Sequence, residues 1–332
     1  MKLLHIIDGD YFALMERTIT DVIGALSAAG ARQTALSDGQ GKLPLPATAF
    51  GTQLGIMDSW LNRFKSANVV KQYQPDAVIR WGEKARELRV NGTFMDITFA
   101  SQLDDFKNFD RATTVMANDE ATLRAARVHG FSGLKSFVLP PFFTDYKGKI
   151  SRGELFILER APIVFAAGLF AKGAGWEDLF DAFAVLRETY FIIQGQGDLE
   201  LIKELSAKAG VKSRCRFVPD FTKTAALMKL ASFAALTPKN PEFAKFALAA
   251  ARAGIPVLAS EGREAEEFIE DGKSGFLVKS KDTYLLKKKL KQIDETDGWE
   301  REKIAGALDE ATGMFDDARA AECIMSAIAT KK

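Results

Sequence analysis

The sequence predicts an α/β fold: two doubly wound, Rossmann-like parallel-sheet domains facing a cleft. Three observations lead there. Short apolar runs alternate with amphipathic stretches along the whole chain, the pattern of parallel strands covered by helices. The length of 332 residues exceeds one ordinary core and suits two domains of roughly 150 residues each. The texture also changes once, near the Pro140-Pro141 pair and the polar, glycine-containing YKGKISRGE that follows it.

In the first half, KLLHII at 2–7 reads as the opening strand. A helix follows over 14–29, with Ile19, Val22, Ile23 and Leu26 on one face. DAVIRW at 76–81, MDITFA at 95–100, TTVMA at 113–117 and SFVL at 136–139 are further strands. A helix over 118–129 takes Asn118 as its N-cap. The second series has strands at 163–168, 190–195, 215–218, 233–237, 256–259 and 275–278. Helices are expected over 174–188, 198–209, 223–230 and 242–253, and throughout the last fifty residues. The expected organisation is a first domain over 1–145, a linker over 146–160, a second domain over 161–305, and a terminal helix over 306–332 that crosses back.

Composition excludes several classes. With 47% apolar and 27% charged residues the chain is globular, and a formal net charge of +1 gives no electrostatic case for a nucleic-acid partner. The dense basic run LKKKLK at 286–291 alternates with leucine at helical spacing and reads as a solvated helix face. Cys215 and Cys323 stand far apart with no metal-ligand spacing, which fits a reducing compartment. No stretch approaches the ~20 apolar residues of a spanning helix, and Asp8 and Asp10 end the apolar start. A cytoplasmic protein is the expectation.

Ligands of doubly wound sheets sit beyond the carboxyl ends of the strands, so the loops there hold the candidates. Gly195-Gln196-Gly197 follows a strand and precedes a helix, where glycines admit close backbone approach and a helix N-terminus favours an anion. A plain tight turn explains the same residues equally well. Lys172, in the loop after the 163–168 strand, can reach a phosphate as a point charge, and an exposed surface lysine is the plainer reading. Asp8, Asp10, Trp81 and Glu83 follow strand ends of the first domain and are candidates for ligand contacts there. His5 lies inside a strand and His129 at a helix end, and both read as structural.

Taken in order, IVFAAGLFAKGAGWEDLFDAF, FIIQGQGDLELIKEL, CRFVPDF, TPKNPEFAKFALAAARAGIPVLAS and FIEDGKSGFLV resemble the nucleotide-binding half of glycosyltransferase family 4, whose members have the GT-B fold. AGIPVLAS and EDGKSGFLV are the specific segments, and the resemblance is strong over about 160–290. It extends more weakly to MERTITDVIGALSAAG, YQPDAVIRW, ANDEATLRAARVHG and FVLPPFF in the first half.

The resemblance implies a glycosyltransferase that moves a sugar from a nucleotide-diphosphate sugar, of UDP or GDP type, to a glycan or lipid-linked acceptor. Polysaccharide or lipopolysaccharide biosynthesis is the implied setting, peripheral to the inner face of a membrane where the acceptor is lipid-linked, and Asp8, Asp10, Trp81 and Glu83 are then the acceptor-side candidates. Retention, with no cofactor and no metal, is implied as well. It places catalysis on Glu242 and Lys172, and donor binding on Lys172, Gly195, Gly197, Val218, Pro219, Asn240, Glu242 and Phe243. Lys172 matches the family's diphosphate lysine, whereas the companion arginine falls on Ala167 or Leu169. The family's two glutamates fall on Pro241 and Ala249. Glu242, one residue off the first, is a sugar ligand or simply a first-turn glutamate favoured by the helix dipole. The Gly-Gly before Glu16-Arg17 falls on Ala13-Leu14, and the usual histidine on Ala100 or Ser101. These departures keep open a catalytically silent binding or scaffold protein, and a sugar-nucleotide epimerase.

Overall fold

The computed structural model describes residues 1–37, 50–53, 60–101, 114–117, 120–128, 135–139, 142, 149–219, 223–312 and 316–329. Asn118 and His129 lie outside them. The chain divides into two compact units, Met1–Phe142 with Phe315–Lys332, and Phe143–Met314.

The first unit runs β1 (Lys2–Ile7), α1 (Gly9–Ala28), β2 (Arg32–Ser37), β3 (Phe50–Gln53), α2 (Trp60–Tyr73), β4 (Ala77–Trp81), α3 (Glu83–Glu87), β5 (Met95–Ala100), β6 (Thr114–Ala117), α4 (Glu120–Val128) and β7 (Lys135–Val138). Its strands form one parallel sheet in the order β3-β2-β1-β4-β5-β6-β7. The order reverses between β1 and β4, so the crevice of this sheet lies at their carboxyl ends.

Helix α1 starts five residues earlier than its apolar periodicity suggests. Asp8 caps it, accepting from the backbone N–H of Asp10 and Tyr11, and the helix then kinks at Met15. Beyond the kink, Ile19, Val22, Ile23 and Leu26 are buried on the sheet, as their spacing requires.

One buried polar group of this sheet makes the stability of the unit depend on pH. His5, fully buried, donates from Nε2 to the Gln33 Oε1 at 2.8 Å, because the Gln33 amide nitrogen is already committed to the Ile23 carbonyl and the Ser27 hydroxyl. Its Nδ1 therefore accepts from the Trp81 indole N–H at 3.2 Å. Protonating Nδ1 would set two donors against each other in a dry site. Burial, only partly opposed by the Gln33 bond, lowers the His5 pKa to about 4. An unfolded-state histidine near 6.5 takes up its proton first as pH falls, so this contribution is complete above pH 6.5 and is lost progressively towards pH 4. Denaturant unfolding is expected to show a loss of about 2 kcal/mol between pH 7.5 and 5, with the slope removed in His5→Leu.

The second unit runs β8 (Ile163–Phe170), α5 (Trp176–Phe183), β9 (Tyr190–Gly197), α6 (Leu199–Lys208), β10 (Cys215–Phe217), α7 (Thr224–Met228), β11 (Phe233–Leu236), α8 (Phe243–Arg252), β12 (Val257–Ser260), α9 (Arg263–Phe268), β13 (Phe276–Val278), α10 (Thr283–Glu295) and α11 (Gly298–Thr312). Its sheet is parallel in the order β10-β9-β8-β11-β12-β13 and switches direction between β8 and β11. Both faces are covered, which is why β8 and β9 read as near-continuous apolar runs. The basic run of α10 turns Leu286, Leu290 and Ile293 inward and pairs Lys287 with Asp181 and Lys289 with Asp271. Cys215 is buried, and that burial pushes its thiol pKa up to about 12, so it is an inert core residue. The last helix, α12 (Asp317–Ala329), belongs to the first unit, where Ala320, Ala321, Ile324 and Ile328 join the core beneath α1.

Candidate functional site

The switch point of the second sheet brings two loops together, 171–175 after β8 and 237–242 after β11. They are stitched by their backbones. The Leu169 N–H donates to the Lys239 carbonyl and the Lys239 N–H donates to the Ala174 carbonyl, each at 2.7 Å. This approach needs Gly168, where a Cβ would stand 2.7 Å from the Pro238 Cβ. The Trp176 indole N–H holds the Leu169 carbonyl at 2.8 Å, and the Ser260 hydroxyl holds that of Thr237 at 2.8 Å.

The paired loops carry two cations and no carboxylate before Glu242. Lys172 and Lys239 are both exposed, and among the described residues neither side chain forms an ion pair or hydrogen bond. Beside them two buried polar atoms lack partners among the described residues, the Thr237 Oγ1 and the Asn240 Nδ2. The Asn240 Oδ1 is occupied, accepting from the Glu242 N–H at 2.9 Å, which fixes the amide with its nitrogen free. A buried donor without a partner costs about 1–3 kcal/mol, so this corner is organised for an acceptor that no described residue supplies. Glu242 stands at the N-cap of α8 without a side-chain capping bond, 4% exposed, and Phe243 follows it into the core. Every residue of α8 from Phe243 to Ala251 is buried, so the helix is held rigidly with its positive end at this loop.

Of the donor-side candidates, the structure thus gathers Lys172, Asn240, Glu242 and Phe243. Gly195 and Gly197 have a different reason to be glycine. Strand β9 continues through both, and a Cβ at Gly195 would overlap the Gly168 carbonyl oxygen, one at Gly197 the Phe170 carbonyl oxygen. A second feature favours the plain-turn reading of these glycines over an anion cradle. The Asp198 carboxylate caps α6, accepting from the Leu201 N–H at 3.0 Å, and places negative charge where an anion would bind. Val218 and Pro219 follow the edge strand β10, with β9 between it and β8. Val218 donates its N–H to the Ile193 carbonyl, and Pro219 is exposed. Lys239 was not among the candidates. Between two prolines it reads as an ordinary turn residue, and only the pairing of its backbone with the β8 loop brings it beside Lys172.

At the switch point of the first sheet, Asp8 is 5% exposed and its carboxylate holds backbone N–H groups of two helices. Oδ1 accepts from Asp10 and Tyr11, and Oδ2 accepts from Lys84 at 3.2 Å. Gly82, at φ +90°, allows this, since a Cβ would meet those of Tyr11 and Asp8 at 2.6 and 2.7 Å. Asp10 is exposed and paired with Lys84 at 2.6 Å, and Glu83 is half-buried. Trp81 is not a surface residue: it is fully buried, packed on Phe99 and bonded to His5, so its expected acceptor contact is replaced by a core role. Ser101 is likewise enclosed and accepts from the Tyr11 hydroxyl at 2.8 Å.

Comparisons with known proteins agree on one architecture. Residues 149–306 match the family model described as glycosyl transferases group 1. A lipopolysaccharide core biosynthesis glycosyltransferase, LpsE of Rhizobium meliloti, is 23% identical over 295 residues, 84% of this chain and 84% of its own. Among solved structures, the sucrose-phosphate synthase of Thermosynechococcus elongatus superposes with a TM-score of 0.81 at 16% identity, over 99% of this chain and 98% of its own. Anabaena Alr3699/HepE in complex with UDP and glucose gives 0.78 at 19% identity, over 99% and 100%. These likenesses show the GT-B fold.

Proposed function

We propose, from the premise that residues 149–306 belong to the glycosyl transferases group 1 family, that this chain transfers a hexosyl or related sugar from a nucleotide-diphosphate sugar. The acceptor class is a glycan or a lipid-linked glycan, in keeping with the named activity of the Rhizobium relative. The observation that carries the reading is the pair of stitched loops at the β8/β11 switch point, where, among the described residues, two lysines without an ion pair accompany two buried polar atoms without a hydrogen bond.

In this reading the leaving diphosphate lies between Lys172 and Lys239 and takes a hydrogen bond from the Asn240 Nδ2. The N-terminus of α8 adds a further positive field, so the charge that develops on the leaving group is met by groups already in place. Glu242 faces the transferred sugar. Gly195, Gly197, Val218 and Pro219 shape the neighbouring strand ends rather than bind phosphate, and Asp10 and Glu83 are offered to the acceptor. The reaction retains configuration and uses fixed cations in place of a metal.

Incubation with UDP- and GDP-sugars and a bacterial lipid and glycan extract, in the presence of a chelator, is expected to release UDP or GDP at a rate above the protein-free blank. Absence of release with every sugar nucleotide would contradict the reading. It would favour the silent binding protein that Pro241 and the buried Ala249 suggest, since neither can hold a ribose or a sugar hydroxyl.

A further inference from the structure

The segment that leads into β8 carries a feature which neither the fold nor the proposed reaction uses. A 3-10 turn over Gly153–Leu155 ends on Phe156 in the left-handed region, at φ 51° and ψ 44°. That position favours glycine, because a Cβ there meets the backbone. Phe156 is nevertheless an aromatic, and it is 84% exposed. Leu158 beyond it is 68% exposed, while Ile157 between them is buried in the core. The two apolar side chains thus stand out on either side of an anchored residue. The position is doubly unfavourable for the fold, strained in its backbone and apolar in water, and such outliers persist where function requires them.

The turn is also clamped. The Arg152 guanidinium donates to the carbonyls of Leu158 and Ala161, and the Arg216 guanidinium donates to those of Leu155 and Phe156. The Phe156 and Ile157 N–H groups close the loop onto Gly153 and Arg152 at 3.0 Å. Nothing in this bonding depends on the Phe156 ring. Exposed Lys149 and Arg160 flank the turn, so four cations stand against two carboxylates, and one of these, Glu154, is engaged by Ser151.

We infer that Phe156 and Leu158 form a membrane-docking finger that inserts into the interface of an anionic lipid bilayer. An aromatic and a leucine projecting from a rigid base, ringed by cations, match an apolar layer beneath negatively charged headgroups. A second copy of this chain is the poorer occupant, because it would set one cationic patch against another. The inference stands apart from the proposed transfer reaction and is tested without it.

The test is co-sedimentation of the full chain with vesicles of phosphatidylglycerol and phosphatidylcholine, compared with phosphatidylcholine alone. Wild type is expected to partition to the anionic vesicles at least tenfold better than to the neutral ones, and Phe156→Ser/Leu158→Ser is expected to lose that binding. Phe156→Gly separates the finger from the fold: it should bind as poorly as the double variant while its Tm equals or exceeds that of wild type. Vesicle binding that is absent in wild type, or unchanged in the double variant, would overturn the inference. So would a lower Tm for Phe156→Gly, which would make Phe156 a structural residue. A dimer seen by sedimentation velocity and abolished by the double substitution would make a second copy the occupant instead.

Discussion

Lys172→Ala/Lys239→Ala is expected to lower kcat/KM for the sugar nucleotide by roughly 10³-fold, and each single substitution by about 10²-fold, the scale of losing one preorganised charge-stabilising donor. Both side chains are exposed and unpaired among the described residues, so Tm should remain that of wild type, within the ±0.5 kcal/mol typical of surface substitutions. Separating activity from stability is the point of the pair. If Lys239 were only a turn residue, its single variant would turn over normally and the double variant would match Lys172→Ala. Lys172→Arg should retain most of the activity, because it keeps the charge at the same loop tip.

The second large effect concerns the fold. Gly195→Ala and Gly197→Ala are each expected to destabilise the second unit by about 3 kcal/mol, because the added methyl would overlap the Gly168 carbonyl oxygen and the Phe170 ring at the first position and the Phe170 carbonyl at the second. At Gly197 the backbone φ of +118° adds strain to the overlap. A domain has only about 5–15 kcal/mol in hand, so poor expression and a Tm lowered by many degrees should follow. A phosphate-binding glycine loop would behave differently, folding normally while losing nucleotide affinity. Chemical denaturation followed by the tryptophan signal, with Trp176 and its contact to Phe180 inside this unit, distinguishes the two.

How much of this was legible depends on where each residue finds its partners. Strands β1, β4, β5, β8, β9 and β11 bury both faces and announce themselves as apolar runs. Strand β2 does not: Gln33, Thr34 and Ser37 are all buried, and Gln33 is tolerated there only because His5, the Ile23 carbonyl and Ser27 satisfy its amide. No local period encodes such partners. Helix α2 is similarly silent, because its sequence WLNRFKSANVVKQY lacks a clear apolar stripe.

The candidate site divides in the same way. Lys172 could be reached from its loop after a recognisable strand, and Glu242 through the family resemblance, one residue off the expected position. Lys239 could not, because its meaning comes from hydrogen bonds to Leu169 and Ala174, some seventy residues away in the chain. Gly195 and Gly197 look alike as a phosphate turn and as a tight strand pairing, and only the positions of Gly168 and Phe170 tell them apart. Trp81 follows the same rule: a strand-end tryptophan can face solvent or core, and the His5 and Phe99 contacts decide for the core.

The central claim is that the stitched loops at the β8/β11 switch point hold a nucleotide diphosphate. Isothermal titration of the full chain with UDP and with GDP, in a chelator-containing buffer, tests it most directly. Saturable binding of one of them, with a Kd of millimolar or tighter that weakens at least tenfold in both Lys172→Ala and Lys239→Ala, is the expected result. No heat of binding with either nucleotide up to millimolar concentration, or binding indifferent to both lysines, would contradict the account.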